Sequence, residues 1–461
     1  MLARDRLPAR LVPLLYIGAA HVSLALACLL VAWSPRAVAG FYYHSWMLAI
    51  VHLVTLGWIT LSILGAIFIV APVALRMPLP PRRADYVAFA FALVGVIGMV
   101  AHFWIQEFGG MAWSAATVTA GILIVGGRVV RRLRGSSAPS AVKLHIVLAF
   151  LNIGIAATTG ILIGFDKVYH FLPGFVLSNV FAHAHLAALG WGAMMVVGVG
   201  YRLLPMTLPS KMPSGSSAAA SALLLEAGVI GLFAALLLRS AWMMLFGGVI
   251  IAGLIVFLAD VWWMVRTPAP KPPIAPRVDF AVWHAAAAGA SFVAAAAIGA
   301  ALLVLPTSTS TLHAAAVYGV FGLVGFLGQM VVAMEVRLVP LFTWYWAYAR
   351  GGFKVAPPSP LLMRDPLLQA IVFVSWTFAV PALATGLALE SPALIAAGAW
   401  SLFAAVSTSA LDNVFVLLHV ARQTPQRDQR QHDQVREQER GHRRGTGQNL
   451  LEQRPTRLPE V

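Results

Sequence analysis

The fold is decided by the stretch Asn179–Pro205, NVFAHAHLAALGWGAMMVVGVGYRLLP, an apolar segment with two histidines near its start and a proline at its end. The same pattern occurs at residues 49–72, AIVHLVTLGWITLSILGAIFIVAP, where His52 aligns with His185. The aligned pairs, all 133 residues apart, also include Leu53/Leu186, Leu56/Leu189, Gly57/Gly190, Trp58/Trp191, Gly65/Gly198 and Pro72/Pro205. Self-similarity of this length indicates a repeated structural unit rather than a chance match of two apolar runs.

A third copy lies at residues 317–340, VYGVFGLVGFLGQMVVAMEVRLVP, at an offset of 135 from the second. It places Gly325 on Gly190, Phe326 on Trp191, and VRLVP on the YRLLP that ends the second copy. Val320 takes the position of the histidine. The chain is therefore predicted to contain three related units, only two of which carry this histidine.

Composition identifies the class of protein. The 461 residues are 60% hydrophobic and 11% charged, with a mean hydropathy of +0.82, which is typical of an integral membrane protein. Twelve apolar runs are long enough to cross about 30 Å of hydrocarbon as helices. They cover residues 11–33, 45–74, 86–106, 111–130, 142–164, 176–204, 218–238, 242–265, 280–305, 311–339, 367–389 and 393–421. The first run lacks a small-residue cleavage site, so we expect it to remain as a helix rather than be removed as a signal peptide.

The repeat and the helix count together predict the architecture. The three copies fall in runs two, six and ten, so the repeating unit is four helices. We therefore predict an all-α integral membrane protein with twelve transmembrane helices in three pseudo-equivalent four-helix arcs, over residues 1–422. This differs from the common twelve-helix transporters, whose repeats divide the chain into two halves of six. Residues 423–461 are polar and basic and are predicted to form a disordered cytoplasmic tail.

The charges of the loops predict the orientation. Most basic residues precede run one or lie between runs two and three, four and five, eight and nine, and ten and eleven. The other side carries only Arg36, Lys167 and Arg239. The positive-inside rule then predicts that both termini are cytoplasmic. The expected location is a bacterial-type inner (plasma) membrane. The net charge of +15 reflects these loops and the tail, so the expected partner is the lipid bilayer and not nucleic acid.

Four histidines are predicted to bind a cofactor: His52, His183, His185 and His313, all in the outer half of the predicted bundle. Ionisable side chains at membrane depth are costly and often mark function, and neutral imidazole is a ligand for haem iron and copper. We predict His52, His185 and His183 as the metal ligands. Since His183 and His185 point about 200° apart on a helix, they can serve two sites but not one. The alternative is that these histidines and the repeated glycines only pack helices together.

Twelve helices in three arcs, with histidines towards the outer ends of helices two, six and ten, resemble the haem-copper oxidase and nitric oxide reductase subunit I superfamily (cytochrome c oxidase subunit I-like). The HAH-LxxLGW…YRLLP segment is also similar to the HAH-xxxxGF…P segment of NnrS proteins, haem and copper proteins linked to nitric oxide metabolism. The resemblance covers residues 11–421 in topology, and its sequence motifs are the three repeat segments. It implies a bound haem of the b type, electron transport, and a cytochrome or other electron donor on the outer face.

The sequence departs from that superfamily at the copper site. The family's copper–haem centre uses a histidine pair on helix seven and an HxH on helix ten. Helix seven here contains no histidine, and helix ten has Tyr318 and Val320 where its repeat partner has His183 and His185. The copper site is therefore not carried over, and we expect no oxygen or nitric oxide reduction at such a centre. The family pairs helices two and ten around one haem, which would make His313 the partner of His52, whereas the repeat favours His185.

The sequence thus favours a haem-binding membrane redox protein that lacks the full ligand set of the oxidases. One alternative is a non-catalytic metal- or nitric-oxide-response membrane protein of the NnrS kind, and another is a small-molecule transporter. Among the acidic residues in the predicted spans, Glu226 is a candidate for a proton relay, and Glu335 is predicted to pair with Arg337.

Overall fold

The computed structural model describes residues 8–270, 278–348 and 359–418, and its regular structure in these ranges is helical. Twelve helices are long and apolar enough to cross a membrane. They are α1 (Leu11–Trp33), α2 (Ser45–Val73), α3 (Arg83–Ile105), α4 (Phe108–Leu133), α5 (Ser140–Tyr169), α6 (Val176–Thr207), α7 (Gly215–Leu237), α8 (Met243–Arg266), α9 (Phe280–Val304), α10 (Thr309–Tyr348), α11 (Pro366–Ala388) and α12 (Pro392–Leu418). The predicted all-α membrane fold is confirmed, whereas the predicted tail at 423–461 lies outside the described residues.

Several helices begin at short polar side chains that satisfy the free backbone donors of the first turn. Ser214 accepts a hydrogen bond from Ser217 N, and Asp279 accepts one from Val282 N. Asp365 accepts bonds from the backbone of the first turn of α11. Such caps matter here because unpaired backbone groups at the membrane surface are costly. All three lie at the end of the bundle where α1 begins, which we call the basic end; α2 begins at the opposite end.

The three repeat copies share an uncommon backbone conformation. Each contains a π-helical segment: Leu53–Thr60 in α2, Leu186–Ala193 in α6, and Val320–Gly328 in α10. The first two segments are 133 residues apart at both ends, which is the offset of the sequence repeat. All three contact one another, so α2, α6 and α10 meet inside the bundle. Short π-helical segments are rare and are often found at functional sites.

The repeated glycines make equivalent contacts in the three copies. Each packs against a small polar residue of the helix that precedes its own in the chain. The pairs are Gly57 with Ser23 of α1, Gly190 with Asn152 of α5, and Gly325 with Ser291 of α9. A methyl group added at Gly190 would lie 2.9 Å from the Asn152 Cβ, so these helices approach too closely for any larger residue. The recurring contact joins the first and second helices of each predicted arc, α1–α4, α5–α8 and α9–α12.

Large apolar side chains remain exposed along many of the helices. Examples are Val22, Val94, Ile97, Leu151, Val293 and Val374, each more than half exposed. In water such a surface would be unfavourable, whereas hydrocarbon accepts it without cost. The exposed residues therefore mark faces that contact lipid, and the polar side chains discussed below lie between helices.

Candidate functional site

A cavity of about 820 Å³ surrounds α6. Its walls come from α2–α5, which precede α6 in the chain, and from α7–α10, which follow it. Most of the lining is apolar, including Met99, Phe103, Leu232 and Phe292. Three of the four predicted site residues line it: His52, His183 and His185. A cavity of this size and character falls within the range of small-molecule and cofactor sites.

The three cavity histidines are held in the same way. In each ring Nδ1 lies within hydrogen-bonding distance of a backbone carbonyl. The partners are Leu48 O for His52 (2.7 Å), Ala156 O for His183 (2.9 Å) and Phe181 O for His185 (2.8 Å). A carbonyl can only accept a hydrogen bond, so Nδ1 carries the proton and Nε2 keeps its lone pair. This arrangement fixes the tautomer and orientation that a metal-binding imidazole needs.

His52 and His183 lie on the same side of α6, towards α3 and α5. The His52 ring is 5.1 Å from the ring of Phe103 in α3. His183 bonds to the backbone of α5, and a methyl group added at Gly160 of that helix would lie 2.9 Å from His183 Cε1. Both side chains line the same cavity. The structure therefore brings a histidine of α2 together with one of α6.

His185 points to the other side of α6. Its ring stacks on that of Tyr318 in α10, with 5.8 Å between centroids and 21° between planes. In the repeat alignment Tyr318 takes the position of His183. The two histidines of the HAH motif thus have different neighbours, as their spacing on a helix requires. His52 lies with His183, and His185 lies with Tyr318, so the geometry does not favour the predicted pairing of His52 with His185.

His313 is not part of the cavity lining. Its Nε2 lies 2.8 Å from Glu390 Oε1, in the connection between α11 and α12 at the opposite end of the bundle. A haem held between His52 and His313 would require this ion pair to open. The role of His313 as a cofactor ligand stays a prediction, but the structure does not bring it together with the other three histidines.

The charged side chains that line the cavity are all basic. Lys167 and Arg239 line it, and none of the described residues in its wall is Asp or Glu. The Lys167 ammonium lies 4.9 Å from the ring centroids of both Tyr43 and Phe108, and the Arg239 guanidinium lies 5.9 Å from that of Phe175. From the sequence, these cations indicated only the orientation of the chain. Only three basic residues were predicted at the end of the bundle with few charges. The fold shows that two of them, Lys167 and Arg239, line one cavity, which the sequence alone could not predict.

Two tyrosines add hydrogen-bonding groups to the cavity wall. The hydroxyl groups of Tyr42 and Tyr43 are buried and have no hydrogen-bond partner among the described residues. Burial raises the pKa of Tyr42 above its ordinary value, which keeps the phenol neutral. Both hydroxyl groups are therefore available as donors to a ligand with oxygen acceptors.

Two further histidines, His145 of α5 and His284 of α9, are fully buried but do not line the cavity. His145 Nδ1 lies 2.8 Å from Ala141 O, and His284 Nδ1 lies 3.3 Å from Gln329 Nε2. They are partly satisfied interior side chains. Within the described part of the chain, no group of three or more His, Cys, Asp and Glu side chains is placed to hold a metal ion.

The predicted pair of Glu335 with Arg337 is wrong. Arg337 forms an ion pair with Asp279 at the start of α9, while Glu335 faces His21 of α1. Residues two apart on a helix point to different sides, so two long side chains at this spacing do not meet.

No protein-family model matches this sequence, and no curated protein matches it.

Proposed function

We propose that this chain is a haem-binding membrane redox protein, with haem held in the cavity between α2 and α6. The observation that carries the proposal is that three cavity histidines have Nδ1 fixed by a backbone carbonyl and Nε2 left free. His52 and His183 would hold the haem iron, because both line the cavity on the same side of α6. A haem of the b type fits the sequence, since the chain has a single cysteine, Cys28, buried in α1.

The lining of the cavity suits an amphipathic anion. Haem combines a large apolar ring with two carboxylates, and the cavity combines apolar walls with Lys167 and Arg239 and no carboxylate of its own. The two cations would hold the propionates, and the phenols of Tyr42 and Tyr43 would donate to them. Gly160 leaves room for the His183 ring, which a larger side chain would displace.

When bound, haem would supply one-electron redox chemistry. The residues of the chain would orient the two imidazoles and keep water away from them. The site would lie nearer the end of the bundle that is opposite the basic end. That position favours an electron donor on the outer face if both termini are cytoplasmic. The apolar lining would make the additional positive charge of the oxidised form costly, so it would raise the reduction potential.

The test is the haem content and optical spectrum of protein purified after expression with added haem precursor. Wild-type protein should show a Soret band and split reduced α bands. His52→Ala and His183→Ala should each lose the low-spin signal, while His185→Ala and His313→Ala should keep it. His170→Ala, at an exposed histidine of the same end, is the matched control. Unchanged haem content in both His52→Ala and His183→Ala would reject the proposal.

A transporter remains the second candidate because the same cationic, carboxylate-free lining suits an anionic cargo. Protein that contains no haem after haem-replete expression would favour this alternative. A protein of the NnrS kind would bind haem without sustained electron transfer. Repeated cycles of haem reduction by an artificial donor and reoxidation would therefore favour a redox carrier over this alternative. Metal analysis of the same samples tests the expectation that copper is not bound with the haem.

A further inference from the structure

A second buried polar cluster lies in the basic half of the bundle, away from the cavity. Its central members are His21 of α1, Glu335 of α10 and Asn413 of α12, and Arg364 and Asp412 adjoin them. His21 and Glu335 are only 7% and 5% exposed. Ionisable side chains at this depth are costly and are rarely kept without a role. None of these residues lines the histidine cavity.

The contacts of Glu335 are incomplete. Its Oε2 lies 3.4 Å from His21 Nε2 and 3.4 Å from Asn413 Nδ2. Its Oε1 is buried and has no hydrogen-bond partner among the described residues. His21 Nδ1 lies 2.9 Å from Ile17 O and must donate to it, so His21 Nε2 is left as an acceptor. An acceptor nitrogen and a carboxyl oxygen face each other, and they form a hydrogen bond only if a proton lies between them.

The neighbouring charges are already paired. Arg364 Nη1 lies 2.5 Å from Asp412 Oδ2, and Gln369 Nε2 donates to the same oxygen. Arg364 also donates to the backbone oxygen of Glu335 at 2.7 Å. Since Asp412 neutralises Arg364, the pair of Glu335 and His21 is neutral when it holds one proton in addition to the proton on His21 Nδ1. The other groups that face His21 are uncharged: the Asn413 amide, whose Nδ2 lies 3.5 Å from His21 Nε2, and the indole of Trp58, at 5.1 Å between ring centroids.

We propose that Glu335 and His21 form a proton-binding site, with the proton on Glu335 at neutral pH and directed to His21 Nε2. In a dry interior, an ionised carboxylate with one oxygen lacking any donor costs more than the neutral acid. Arg364, which precedes α11 at the basic end, donates to the backbone oxygen of Glu335, so we expect the proton of this site to exchange with water at that end. The ligand is thus a proton taken from water at the basic end.

The position of Trp58 connects this site to the cavity. Trp58 packs against His21 and belongs to the π-helical segment that follows His52 directly. A change of charge at either site would therefore act on the same segment of α2. The proton site itself does not depend on haem and can be tested in protein that has none.

The experiment is an infrared pH titration of the full-length purified chain in H₂O and D₂O. At neutral pH the wild type should show a protonated-carboxyl band that shifts in D₂O. The band should be lost in Glu335→Gln and kept in Glu226→Gln, a matched control at the other glutamate inside a span. In His21→Gln the band should remain and should persist to higher pH than in the wild type, because the imidazole that competes for the proton is gone. A band that is unaffected by Glu335→Gln overturns the proposal.

A second measurement covers the case in which Glu335→Gln does not fold. Wild-type protein labelled with ¹³C at the glutamate side-chain carboxyl should show an isotope shift of the same band, and Glu226→Gln carrying this label should retain it. Absence of a glutamate acid band at neutral pH in the labelled protein overturns the proposal equally.

Discussion

The indole Nε1 of Trp191 donates to Thr60 Oγ1 at 3.1 Å and so joins the π-helical segments of α6 and α2. A second indole bond, from Trp58 Nε1 to Gly328 O at 3.2 Å, joins α2 to α10. The three helices that carry the repeat are thus connected inside the bundle by the repeated tryptophans. In α10 the equivalent residue is Phe326, which has no donor to offer. Interior hydrogen bonds of this kind specify one arrangement of the helices.

Thr60→Val should destabilise the bundle. The substitution keeps the side-chain volume but leaves the buried Trp191 indole without its acceptor, at a cost of about 1–3 kcal/mol. Thermal unfolding in detergent measures the effect. Thr158→Val is the control, because Thr158 is exposed and bonds only to its own helix. Equal unfolding temperatures for the two variants would contradict a linking role for Trp191.

Gly190→Ala should impair the packing of α6 against α5. The new methyl group would lie within about 3 Å of the Asn152 side chain, which donates to both Gly190 O and Glu226 Oε2. Overpacking of this kind costs about 1–3 kcal/mol. Gly289→Ala, where an added methyl group meets open space, should change stability by less than about 1 kcal/mol. The comparison is made from the yield of monodisperse protein and its unfolding temperature.

Lys167→Gln and Arg239→Gln should weaken the binding of an anionic ligand in the cavity. Lys167 is half-buried and Arg239 is exposed, so loss of one cation should cost at most about 1 kcal/mol, roughly a fivefold loss of affinity. Haem titration into haem-depleted protein measures this under the proposed function. Arg36→Gln, at a basic residue of the same end that does not line the cavity, should bind as the wild type does. Equal losses in all three variants would indicate a surface-charge effect instead.

Asp85→Asn should be among the most destabilising single changes. Asp85 of α3 is completely buried and pairs with Arg128 of α4, which also donates to Pro80 O. Removing one member of a buried ion pair leaves an uncompensated charge and costs about 3–5 kcal/mol. The double variant Asp85→Leu, Arg128→Met should recover most of that loss, whereas Arg131→Gln on the exposed side of α4 should be neutral. Unfolding temperatures of the four proteins decide the question.

The orientation of the chain is tested with reporter fusions. A fusion after Arg134 should report a cytoplasmic position, and one after His170 should report an external position, because the loops at the basic end carry most of the positive charge. An external signal after Arg134 would reverse the bundle. It would also move the histidine cavity to the cytoplasmic half and the proposed proton site to the outer half.

Much of the fold follows from local composition. A transmembrane helix needs about 20 apolar residues, whatever its neighbours are, so the twelve spans and the repeat in α2, α6 and α10 could be predicted from the chain alone. The aligned glycines also indicated close helix contacts, since only a residue without a side chain allows them. The π-helical conformation could not be predicted in the same way, because it is a choice between two hydrogen-bonding patterns of one apolar sequence.

The sequence by itself determined which histidines lie at membrane depth and that His183 and His185 point apart, because both follow from the rise and turn of one helix. Only the tertiary structure decided that His52 lies with His183, that Lys167 and Arg239 line one cavity, and that Glu335 faces His21. These contacts join residues far apart in the chain, and the rotation of each helix about its axis sets them. That rotation depends on how each helix packs against all of its neighbours, and the sequence of one segment does not specify this packing.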